Sequence, residues 1–175
     1  GTEKDVAQPL HAAGAVMDVL YTQYARPGIV LHKGKMRVGT FVGGDEVRAE
    51  IDGVRRDRIR RNHTATHILH WALREVLGSH VQQAGSWVGP DRLRFDFSHH
   101  EAVTPEQLQE VERLANAQII SDAPVRHYET TKAEAERVGA IAFFGEKYGD
   151  IARVLEAGPS TELCGGTHVH ALGFI

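Results

Sequence analysis

RRNHTATHILHWALREVLG, residues 60–78, reads as a helix closed by Gly78 in the C′ position. At about 3.6 residues per turn, its three histidines, His63, His67 and His70, fall along one stripe. A helix that gives such a stripe to imidazoles is organised around something polar. The complement stands about a hundred residues further on, in ELCGGTHVH, residues 162–170.

Upstream of the helix, the chain to Gly53 is rich in glycine and β-formers. GIVLHKG (28–34), MRVGTFVGGD (36–45) and EVRAEID (46–52) alternate and break at Gly28, Gly34, Gly44 and Gly53. That pattern predicts short antiparallel strands belonging to a small β-barrel. Downstream, HVQQAGSWV (80–88) and RLRFDFSH (92–99), joined by Gly-Pro-Asp, predict a hairpin. Thr104-Pro105-Glu106-Gln107 combines an N-cap, a proline at the first helical position and a capping-box glutamine, opening a helix that runs to about Ile120. APVRHYET (123–130) reads as a strand, KAEAERVG (132–139) as a short helix and DIARVLEAG (150–158) as another strand. The expected fold is α+β: one antiparallel sheet with flanking helices and a zinc site, preceded by part of a small β-barrel. Residues 1–53 are expected to form the smaller module and residues 54–175 a second domain.

Bulk properties narrow the function classes. A chain of 175 residues with 42 % hydrophobic content has enough apolar material for one good core, or for a domain plus a smaller module. It has no apolar run long enough to span a membrane and no basic-then-apolar start of a signal peptide. The single cysteine, Cys164, excludes an internal disulfide and fits a reducing compartment, so the expected location is the cytoplasm. The net charge of −3 is unevenly spread. Residues 26–61 hold ten Lys/Arg against five Asp/Glu, and RRDRIRR (55–61) alone has five arginines. Such a run, with Lys33 and Lys35, suits a phosphate backbone, or else a solvated helix start.

His63 and His67 are spaced to reach one metal ion from adjacent turns, though two hydrogen-bonded helix histidines satisfy the same spacing. Cys164-Gly165-Gly166-Thr167-His168 adds the only thiol four residues before another histidine, with glycines that let the backbone wrap an ion. The pairs His63/His67 and Cys164/His168 make a His3Cys set for a tetrahedral, borderline-soft ion, which points to one zinc per chain. His70 and His170 are the rival ligands. Four protein ligands suit a closed structural site, while catalytic zinc keeps a position open, so either role fits the set.

NHTATHILHWALREVLG, HVQQAGSWVGPDRLRFDFSH, FFGEKYGDIARV and ELCGGTHV together resemble the editing domain of alanyl-tRNA synthetases and the related free-standing editing proteins. The similarity runs from about residue 28 to the end, with the motifs in family order and spacing. It implies an aminoacyl-tRNA deacylase that hydrolyses the ester of alanine tRNA mischarged with serine or glycine. It implies zinc ligation by His63, His67, Cys164 and His168. Gln83 matches a glutamine linked to editing activity, and Thr66 a pocket residue that reads the serine hydroxyl. Read without the resemblance, Gln83 is a solvated strand residue and Thr66 a helix residue bonding its own backbone. The implied partners are mischarged alanine tRNA and the rest of a synthetase chain, including the aminoacylation domain with its ATP site.

Two departures from the family pattern, a missing upstream glycine-pair stretch and Phe174 in place of a polar residue, suggest an excised fragment with an incomplete barrel and weakened tRNA affinity. Editing is needed because a pocket for alanine excludes smaller glycine poorly, and serine differs only by a hydroxyl. The rival readings are a threonyl-tRNA synthetase-type editing domain and a non-catalytic, zinc-stabilised RNA-binding module. A zinc protease is disfavoured because the HExxH glutamate is missing.

Overall fold

The computed structural model describes residues 7–26, 28–142 and 150–175. The part of the FFGEKYGDIARV motif at 143–149 lies outside the described residues. The architecture is α+β, and the chain divides into two compact units, Glu3–Asp57 and Arg58–Ile175.

In the smaller unit, strands β1 (Ala7–Ala12), β2 (Ala15–Arg26), β3 (Ile29–Val38) and β4 (Arg48–Ile51) form an antiparallel sheet in the order β3-β2-β1-β4. It is an open sheet among the described residues, with Leu10 and Val19 buried against Met17 and Phe41. The expected break at Gly34 does not occur: GIVLHKG and the start of MRVGTFVGGD are one strand. Gly34 is there for proximity, because a Cβ at this position would lie 2.1 Å from the Asp18 carbonyl oxygen on β2. Strands β1 and β2 were not read in the sequence.

Helix α1 (Gly53–Leu77), of which the larger unit contains Arg58 onward, starts seven residues before the stretch first read as helical. Gly78, at φ +112°, ends it, and its N–H donates to the Arg74 carbonyl over 2.9 Å. The RRDRIRR run therefore lies within the helix, where Arg58 meets Asp91 at 3.4 Å. Strands β5 (Gln82–Val88) and β6 (Leu93–Ser98) form the expected hairpin. Helix α2 (Pro105–Ile120) has the expected capping box, in which the Thr104 hydroxyl accepts from Gln107 N–H and the Gln107 side chain accepts from Thr104 N–H. Strand β7 (Val125–Thr131), helix α3 (Lys132–Arg137), strands β8 (Ile151–Ala157) and β9 (Ser160–Leu163), and a 3-10 turn at Leu172–Phe174 complete the unit.

The expectation of one sheet here is corrected: among the described residues β5–β6 pair only with each other, and β7-β8-β9 form a separate three-stranded antiparallel sheet. Helix α1 explains the division, since it buries residues toward both. Ile68 packs with Leu155, Ala157, Cys164 and Leu172, while Ala72, Leu73 and Leu77 pack with Val81, Val111 and the β6 phenylalanines. Ile141 fixes β9 from the other side, accepting from Leu163 N–H and donating to Thr161 O.

Candidate metal centre and adjoining cleft

Two local devices assemble the centre. Helical periodicity places His63 and His67 one turn apart on the buried face of α1, and the loop leaving β9 brings Cys164 and His168 to them. All four are buried, and their ligating atoms lie within 4.8 Å of one another. Cys164 Sγ is 3.3 Å from His168 Nε2 and 3.5 Å from His63 Nε2. An ion bonded at about 2.0–2.1 Å to nitrogen and about 2.3 Å to sulfur sets tetrahedral neighbours about 3.5 Å apart. The two edges at the sulfur have the length of a ligand shell, and the His3Cys group can hold a metal ion.

Gly166 makes the approach possible: a Cβ there would fall 2.0 Å from His63 Cε1, so the loop lies directly on the ring. Gly165 has open space around it, so close approach constrains only the second glycine of the pair. Arg153 ties the turn down, its Nη1 donating to the carbonyls of Cys164 (3.3 Å) and Gly166 (2.5 Å).

Partners behind the rings set their tautomers. Thr64 Oγ1 donates to Arg60 O at 2.9 Å, so it accepts from Val169 N–H and from His168 Nδ1 at 3.3 Å. That leaves His168 Nε2 facing the sulfur. Glu162, with 1 % of its surface exposed, accepts from His67 Nδ1 through Oε2. Its Oε1 accepts from His70 Nδ1 at 2.8 Å and from Ser160 Oγ at 3.1 Å. His63 Nδ1 is buried without a hydrogen-bond partner among the described residues, and packing under Gly166 holds this ring instead.

The charges leave room for a cation. Burial opposes ionisation of Glu162, yet hydrogen bonds from His67 and His70 outweigh it and bring the carboxyl down to about 2. Burial likewise opposes the Cys164 thiolate, and the surrounding His168, His63 and His67 bring it down to about 3. Burial also opposes the His67 imidazolium, but Cys164 and Glu162 push it up to about 9. His168 is pushed down to about 4 by burial and stays neutral. The buried Glu162 carboxylate and Cys164 thiolate supply negative charge of the kind a dication neutralises.

A cleft of about 280 Å³ is lined by His70 and Arg74 of α1, Gln82 and Gln83 of β5, and Ile141, and His70 links it to the centre through the Glu162 that it shares with His67. Gln83 is half-buried and sits across this cleft from α1. Its partner is Phe97, and the register slips between Gln83 and Gly85. Thr66 is buried, its hydroxyl donating to Asn62 O at 2.8 Å, and it does not line the cleft. Of the rival ligands, His170 is exposed and His70 is engaged by Glu162; neither joins the four-residue group. Glu162 and Thr64 were missed in the sequence. The only signal was the position of Glu162 two residues before the cysteine.

The chain is 52 % identical to alanine–tRNA ligase of Ralstonia nicotianae over 166 residues, 95 % of this chain and 19 % of that protein. It is 51 % identical to alanine–tRNA ligase of Acetivibrio thermocellus over 170 residues, with the same coverage of each. For that of Rubrobacter xylanophilus the figures are 57 % over 138 residues, 78 % of this chain and 16 % of the relative. The chain is related to one segment of the alanine–tRNA ligases. It spans about a fifth of the length of the curated relatives it matches. No family model matches it. The alanine–tRNA ligase relationship is the one that the four sequence motifs indicated, and it makes this an alanine–tRNA ligase-related domain with a metal-capable His3Cys group. No helix among the described residues is long and apolar enough to cross a membrane.

Proposed function

We propose that residues 54–175 are the editing domain of an alanine–tRNA ligase, hydrolysing seryl- and glycyl-tRNA(Ala) to free amino acid and tRNA in the cytoplasm. Residues 1–53 are the C-terminal part of the β-barrel module that precedes it. One observation carries this reading: a buried His3Cys group shares Glu162 with a cleft-lining histidine, in a chain half identical to a segment of alanine–tRNA ligases.

Zinc, held by His63, His67, Cys164 and His168, supplies a fixed positive charge and Lewis acidity when bound. The residues of the chain do the rest. With the only thiol inside the metal group, direct attack by water on the ester carbonyl is the simplest route. The Gln83 amide both donates and accepts, which suits it to orient that water or the developing oxyanion. Arg74, whose Nη1 donates to Val81 O at 2.8 Å, stiffens the cleft wall beside it. Thr66, the residue proposed to read the serine hydroxyl through its acceptor lone pairs, is buried outside the cleft lining with its own proton donated to Asn62 O, so that role requires the bound ester to extend beyond the cleft toward α1. Correctly attached alanine has nothing to donate there.

Hydrolysis of seryl-tRNA(Ala), measured before and after chelation, tests the reading. Deacylation that falls with metal removal and returns with zinc is expected. A zinc-loaded chain that binds the tRNA and leaves its ester intact would instead be a non-catalytic RNA-binding module.

A further inference from the structure

Arg74 stands where two cavities meet. It lines the cleft of about 280 Å³ that contains Gln83, and with Ile141 it also lines a second cavity of about 200 Å³. The last turn of α1 carries it, and its Nη1 donates to Val81 O over 2.8 Å, just ahead of β5. Val81 is fully buried and its own N–H donates to Gly78 O at 3.1 Å, so the anchor is firm. This is the hydrogen bond Arg74 makes among the described residues, and the rest of its guanidinium fork keeps its donors. The two cavities differ in charge. The described lining of the cleft offers Ser79, Gln82 and Gln83 and no carboxylate, whereas the second cavity has the exposed Glu75 beside Trp71 and Thr161. An anion is therefore favoured on the cleft side of Arg74 and disfavoured on the other.

From this juxtaposition we propose that Arg74 is the phosphate-binding residue of the cleft. It holds the phosphate on the 5′ side of the terminal adenosine and so sets the ester beside Gln83. The inference rests on the deacylase reading above, because it takes the charged end of a tRNA as the ligand. At that end the ribose carries three groups: the aminoacyl ester, the base and the 5′-phosphate. Two recesses with a cation on their shared wall match those three groups. A planar guanidinium anchored through one nitrogen keeps the remainder of its fork for a phosphate, in charge-assisted hydrogen bonds. The base then lies in the second cavity, where Trp71 supplies an aromatic ring for stacking and Glu75 an acceptor for the exocyclic amine of adenine. Cations on an open surface attract RNA at range, whereas a phosphate contact inside the cleft fixes the register of the chain on the protein. Arg74 is thus a positioning residue, one that acts on the reaction by placing the ester.

The test uses two stable analogues of the charged end, 3′-seryl-amido-3′-deoxyadenosine with and without a 5′-phosphate, in which an amide replaces the ester. Calorimetry measures their binding to the zinc-loaded chain, to Arg74→Gln and to Arg74→Lys, with circular dichroism and metal analysis of each. We expect the 5′-phosphate to raise affinity for the unvaried chain about 10- to 100-fold, the gain of a charge-assisted pair. In Arg74→Gln that gain should vanish while the phosphate-free analogue binds as before, and Arg74→Lys should keep part of it. A merely structural role would weaken both analogues alike. In the unvaried chain the Arg74 Nε–H signal in NMR should shift with the phosphorylated analogue and not with the other, a readout that needs no variant. The same phosphate gain with Arg74→Gln would overturn the inference, as would equal weakening of both analogues, an unvaried chain without the gain, or an Arg74 signal that stays in place. If seryl-tRNA(Ala) is left intact while the phosphate gain depends on Arg74, the deacylase reading fails and Arg74 still binds the RNA end.

Discussion

Glu162 is the most consequential single residue of the larger unit. A carboxylate buried to this degree is strongly disfavoured unless donors satisfy it, and His67, His70 and Ser160 do so. Glutamine in its place has the same shape but no charge, and its amide nitrogen turns one acceptor into a donor facing an imidazole N–H. Glu162→Gln is therefore expected to weaken zinc binding by about 10- to 100-fold, the usual effect of losing a carboxylate behind a metal-ligating histidine. Competition against a chromophoric chelator measures it, and unchanged affinity would contradict the positioning role. The His63/His67 and Cys164/His168 pairs were legible in the sequence because each spacing is local. Glu162 was not, since it meets His67 and His70 across 95 and 92 residues of chain. Its proximity to the cysteine in sequence carries no sign of where its side chain turns.

At the scale of elements, local chemistry was readable wherever it was self-contained. The capping box at Thr104 and Gln107 specifies the start of α2 without reference to the rest of the chain, and the structure reproduces it. Gly34 shows the converse: glycine reads as a strand break by propensity, but the approach of the Asp18 carbonyl keeps it inside β3. The division of the larger unit into a hairpin and a three-stranded sheet was likewise hidden, because periodicity reports faces and not partners. The register slip after Gln83 was equally invisible. Such a bulge re-aims the side chains beside it, and this one lies where Gln83 borders the cleft. Among the described residues Gln83 is not hydrogen-bonded to any of the four metal-group residues. Gln83→Ala is accordingly expected to keep fold and zinc while losing about 10- to 1000-fold in seryl-tRNA hydrolysis, as for other single positioning or oxyanion donors. Full deacylation by a metal-replete variant would move the chemistry to other residues.

For the whole molecule, the proposed activity draws on the relationship to one segment of the alanine–tRNA ligases and on the His3Cys group, and the smaller unit contributes a strand-rich module. Within the smaller unit Lys33, Lys35 and Arg37 alternate along β3, and the run at 55–61 places five arginines in α1 ahead of His63. Such charge steers a polyanion without reading its amino acid, so discrimination must come from the cleft. The central claim is that this cleft recognises the wrong amino acid on the right tRNA. Its most direct test is hydrolysis of seryl-, glycyl- and alanyl-tRNA(Ala) by the zinc-loaded chain, measured side by side at one salt concentration. Release of serine and glycine with alanyl-tRNA(Ala) spared is the predicted result; equal hydrolysis of all three, or of none, would contradict it.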